Sequence, residues 1–80
     1  MTVTVLLFAS YADALGASAV ELTLPEGATV RDLVAGLGRL PGARSLPPQP
    51  IVAVNQRYAA PGEVIRPGDE VAVIPPVAGG

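Results

Sequence analysis

The chain has 80 residues, half of them apolar and only 15% charged, with a formal net charge of −2. It contains no cysteine and no histidine, which excludes disulfides, thiolate metal sites and the commonest general base. Its five basic residues are all arginines (Arg31, Arg39, Arg44, Arg57, Arg66), and acidic residues outnumber them, so no footprint for nucleic acid is expected.

Residues 1–80 are expected to form one domain. A chain of this size buries only about 60–65% of its unfolded surface, enough for one modest core. The apolar run Val5-Leu6-Leu7-Phe8-Ala9 is too short to span a membrane and lacks the basic flank of a signal peptide. A soluble, cytoplasmic protein with no membrane partner is the expectation.

Thr2 to Phe8 opens with polar/apolar alternation and ends apolar throughout. This predicts a strand exposed at its start and buried on both faces later, with Phe8 in the core. Ser10 to Gly16 reads as a connector of about one helical turn. Ala19 to Leu24 alternates, with Val20, Leu22 and Leu24 on one face, and predicts a second strand ended by Pro25-Glu26-Gly27.

The main helix is predicted to start after Thr29, a good N-cap, with Asp32 completing an imperfect capping box. Val30, Leu33, Val34 and Leu37 make one apolar stripe that Leu40 extends, and Pro41-Gly42 ends the helix. Leu46 to Pro50 is a stiff extended connector. Ile51 to Val54 predicts a third strand, Asn55-Gln56 a tight turn, and Arg57-Tyr58 a short return strand. After a turn at Arg66-Pro67-Gly68-Asp69, Glu70 to Ile74 predicts a mostly apolar, central last strand, which Pro75-Pro76 ends.

This order predicts an α+β fold: a mixed sheet of four to five strands, its first and last strands neighbours, with one main helix across it. That is the β-grasp, or ubiquitin-like, arrangement. Asp32, Glu26 and Glu63 have no spacing that makes a catalytic pair and read as solvated surface, and Asn55 reads as a turn residue. Val73, Val77 and Phe8 are candidates for a docking patch, although Phe8 is assigned to the core in preference. Gly79-Gly80, taken alone, is an ordinary chain end.

The two ends of the chain carry a further signal. Val5-Leu6-Leu7-Phe8-Ala9 with Leu15-Gly16 comes first, followed by Val54-Asn55-Gln56. Gly68-Asp69-Glu70-Val71-Ala72 and Ile74-Pro75-Pro76-Val77-Ala78-Gly79-Gly80 complete it. These stretches resemble the molybdopterin synthase small-subunit family of ubiquitin-like sulfur carriers. The sequence departs from that family at Val73, where an aromatic residue is common, and near Ala12, where a basic one is.

The resemblance implies that Gly80 is the chemical centre, as a glycyl adenylate and then a thiocarboxylate. It implies that Pro75, Pro76, Val77, Ala78 and Gly79 form a tail that enters a partner. The implied partners are a molybdopterin synthase large subunit, an ATP-dependent adenylyltransferase and a sulfur donor. This chain itself would bind no cofactor, ATP being used by the activating enzyme. The residues leave other readings open: a carrier for thiamine, tRNA thiolation or cysteine synthesis, a protein modifier conjugated through Gly80, or a plain binding module.

Overall fold

The structure, a computed structural model, describes residues 1–75, the side chain of Ser45 excepted. Its elements in chain order are β1 (Thr2–Leu7), α1 (Ala9–Leu15), β2 (Ala19–Thr23) and α2 (Val30–Leu37). A 3-10 turn (Ala43–Ser45), β3 (Ile51–Val54), β4 (Arg57–Tyr58) and β5 (Val71–Ile74) follow. The five strands form one sheet in the order β2-β1-β5-β3-β4. β1 and β5 run parallel, and every other neighbouring pair is antiparallel. The sheet is therefore mixed, with the first and last strands side by side: the β-grasp arrangement expected from the sequence.

Alternation places Val3, Val5 and Leu7 of β1, Val52 and Val54 of β3, and Val71 and Val73 of β5 in the core. Leu33 and Leu37 of α2 are completely buried in the same cluster. α2 starts where its sequence says it should. The Asp32 amide donates to Thr29 Oγ1 at 3.3 Å, and the Thr29 amide donates to Asp32 Oδ2 at 2.9 Å. The capping box is thus fully made with Asp in place of Glu. Two further N-terminal amides, those of Val30 and Arg31, donate to the carbonyls of Glu63 and Pro61, each at 2.9 Å. This ties the loop before β5 to the helix start.

The turn between β3 and β4 has positive φ at both Asn55 (52°) and Gln56 (69°), the backbone of a two-residue hairpin turn. Asn55 also bridges to the loop leading into β5. Its Nδ2 donates to Asp69 Oδ1 at 3.0 Å, and its Oδ1 accepts from the Glu70 amide at 2.9 Å. Asp69 in turn accepts from the Arg66 amide at 2.8 Å, closing the turn around Gly68, whose φ is 87°.

Four expectations are corrected. The connector after β1 is a two-turn helix rather than one turn, with Tyr11 buried and Gly16 left-handed at its end. α2 ends at Leu37, four residues before Pro41, and tightens into 3-10-type bonds: the Arg39 and Leu40 amides donate to the Gly36 and Leu37 carbonyls. Two glycines, Gly36 and Gly38, either side of Leu37 explain the early end. The last strand begins at Val71, because the Glu70 amide is taken by the Asn55 side chain. Phe8 is not core: it lies 48% exposed, just past the end of β1.

Candidate functional site

The helices cover one face of the sheet, and the opposite face is open. Register builds that open face row by row. Leu6, Ala72, Ala53 and Tyr58 are cross-strand partners on β1, β5, β3 and β4. Two residues further along, Ile74 pairs with Ile51. Leu6, Phe8, Ala53, Tyr58, Ala72 and Ile74 line an apolar depression whose other end is polar, at Gln56, Arg57 and Glu70. Tyr58 is 79% exposed and Ile51 42% exposed, which adds large apolar surface at the β3–β4 side. An outward face this apolar is the mark of a surface that associates.

The charged end is partly self-neutralised. Arg57 Nη1 and Nη2 donate to Glu63 Oε1 and Oε2 at 3.0 and 2.6 Å, a two-pronged pair. Those hydrogen bonds raise the Arg57 pKa and hold the Glu63 carboxyl below its usual range. Asp69 is also held low, first by the Arg66 amide and then by Asn55. Asn55 is a structural turn residue and not a ligand, as its hydrogen bonds show.

A second cleft lies on the other side of Tyr58, between the start of α2 and Pro48-Gln49-Pro50. Its walls are mostly apolar and it brings no nucleophile and acid–base pair together. Among the described residues, no group of three His, Cys, Asp or Glu side chains could hold a metal. No helix among them is long and apolar enough to cross a membrane.

Of the residues expected to act, Pro75 follows β5 directly and is half-buried. Pro76, Val77, Ala78, Gly79 and Gly80 lie outside the described residues. Val73, a candidate for the docking patch, is instead fully buried on the helix side, because its neighbours Ala72 and Ile74 take the outward positions. Phe8 does belong to the open face. Sequence reasoning missed Leu6, Ala72 and Ile74 as partly exposed. The signal is the loss of alternation late in β1 and through β5, a pattern that two-sided burial shares.

The chain's sequence and shape both have relatives. Residues 5–80 match the model of the ThiS family. Two proteins named molybdopterin synthase sulfur carrier subunit are similar over nearly the whole chain. The one from Chlamydomonas reinhardtii is 36% identical, covering 100% of both chains. The one from Homo sapiens is 38% identical, covering 98% of this chain and 93% of its own. Among solved structures, SAMP1 from Haloferax volcanii superposes with a TM-score of 0.85 at 32% identity, covering 100% of both chains. A second crystal structure, of the H. volcanii small archaeal modifier protein 1, gives 0.83 at 32% identity over 95% of this chain and 98% of that one. With a family match from the middle of β1 to the last glycine, on the fold described above, the chain belongs to the ThiS family.

Proposed function

We propose that this chain is the sulfur-carrier small subunit of a molybdopterin synthase, with the carboxylate of Gly80 as the carrier group. The observation that carries the proposal is the near full-length similarity, at 36% and 38% identity, to two proteins of that name. A carboxylate is a poor nucleophile, and the sequence has no Cys, His or Lys to supply a better one. Activation solves this. A partner enzyme joins the Gly80 carboxylate to AMP from ATP, releasing pyrophosphate. A sulfur donor then displaces AMP, leaving an anionic thiocarboxylate. In the synthase that sulfur passes to the pterin precursor and the carboxylate is regenerated by water. Two carriers supply the two sulfurs of a dithiolene. The isolated subunit has no active site of its own and is an enzyme component only within the synthase.

Residue size supports delivery into a buried site. Gly79 and Gly80 lack Cβ atoms and pass where no side chain could. The six residues from Pro75 to Gly80 span roughly 20 Å when extended. The open sheet face is the docking surface for the large subunit, because its apolar centre leads directly to Pro75. The activating enzyme and the sulfur donor complete the cytoplasmic partner set.

A second reading, a modifier conjugated through Gly80, is favoured by the 32% identity to the small archaeal modifier protein. Mass spectrometry separates the two. Incubation with ATP, the activating enzyme and the sulfur donor is expected to make the C-terminal peptide about 16 Da heavier, one oxygen replaced by sulfur. An unshifted terminus, together with isopeptide adducts on other proteins, would overturn the carrier reading.

A further inference from the structure

The open face has a direction, and one residue defines it. Glu70 lies immediately before β5, in step with Ala72 and Ile74, and lines the polar end of the apolar depression. The one other charged side chain that lines this end is engaged. Arg57 is held by Glu63 at 2.6 and 3.0 Å. Asp69 accepts from Asn55 and from the Arg66 amide. The Glu70 amide is fixed by Asn55 Oδ1 at 2.9 Å, so the position of its backbone is set. Its carboxylate is exposed and has no hydrogen-bond or ion-pair partner among the described residues. A carboxylate with no partner among the described residues therefore marks one end of an apolar strip, and Pro75 leaves from the other. Four residues of extended chain separate Glu70 from Ile74, about 13 Å.

We propose that Glu70 is a specificity-determining residue for the large subunit, pairing with an arginine or lysine on it and so fixing which way the carrier docks along β5. This rests on the reading that the open face is the docking surface. An apolar strip of Leu6, Ala53, Ala72 and Ile74 supplies contact area and little direction, since apolar contact is non-directional. A cation on the partner about 13 Å from the mouth that admits the tail distinguishes the productive orientation from the reversed one. In the reversed orientation that cation meets Ile74 and Phe8, and Glu70 is covered without a partner, which is costly. A charge at an interface rim acts mainly on association rate and on salt dependence.

The test measures association of the complete chain with the purified large subunit at about 50 mM and about 500 mM salt. Glu70→Gln and Glu70→Arg leave the fold's hydrogen bonds untouched, because only the Glu70 amide takes part in them. The expected result is an association rate lowered about three- to tenfold by Glu70→Gln and further by Glu70→Arg at low salt, with the difference collapsing at high salt. At saturating partner, single-turnover sulfur transfer by Glu70→Gln should match the parent chain. Ile74→Asp, in the same assay, should abolish binding at both salt concentrations. Unchanged association of both Glu70 variants, with Ile74→Asp inactive, overturns the orientation proposal and leaves the docking face standing. Normal binding by Ile74→Asp overturns the docking face, and the orientation proposal falls with it.

Discussion

Along β5, consecutive residues of similar character meet opposite fates. Val71 and Val73 are fully buried against α2 and β1, while Ala72 and Ile74 point to the uncovered side and stay partly exposed. β1 repeats the contrast: Leu7 is 2% exposed and core, Leu6 is half-buried, and Phe8 is 48% exposed on the open face. A sheet with one face in water normally alternates apolar and polar residues. Here the outward positions late in β1 and along β5 are apolar although no helix covers them, whereas Thr4 and Glu21, paired across β1 and β2, keep the usual polar outward face. The two faces differ: one side holds the domain together, and the other, on the proposed reading, receives the large subunit.

The contrast can be broken first from the helix side. Leu33→Ala removes a fully buried side chain, and should cost roughly 2–5 kcal/mol in denaturant unfolding, a large share of what a small domain has. Ile74→Ala, on the open face, should cost less than about 1 kcal/mol in the same measurement, because its side chain is only partly buried. Equal losses at the two positions would mean that both faces serve the core.

The smallest expected effect concerns the turn that positions Glu70. The Asp69 carboxyl is lowered in the folded state by the Arg66 amide and by Asn55. A depressed carboxyl stabilises the fold above its unfolded pKa of about 3.9, and that contribution is lost as the pH falls through the lower folded value. The parent chain should therefore lose stability on acidification below about pH 4 more steeply than Asp69→Asn. The readout is the thermal midpoint against pH. Parallel curves would show that the Asn55–Asp69 bridge does not hold this turn.

Local chemistry made much of this legible. Thr29 with Asp32 marked the helix start, and Asn55-Gln56 marked a turn that demands positive φ. Alternation marked β1 and β2, and the closing run Val71–Ile74 read as central because both of its faces are apolar. That same run hid the open face. A strand apolar on both sides has one pattern whether its second face meets another layer or a partner, so Leu6, Phe8 and Ala72 could not be assigned from spacing. α1 was underread because seven residues give barely one repeat of an apolar stripe (Tyr11 and Leu15), and no side chain caps its start. The role of Glu70 needed the fold, since it depends on Arg57 already being taken by Glu63, six residues away in sequence. The tail was legible only through resemblance.

On the proposed reading, the uncovered face receives the partner and leads the C-terminal glycines to it. The most direct measurement follows backbone amide resonances of the isotopically labelled chain during titration with the large subunit. The largest changes should fall on Leu6, Phe8, Ala53, Tyr58, Glu70, Ala72 and Ile74 and continue through Gly80, with α2 from Val30 to Leu37 nearly unmoved. Changes centred on α2 and the cleft beside Pro48-Gln49-Pro50, with the open face unmoved, would contradict it.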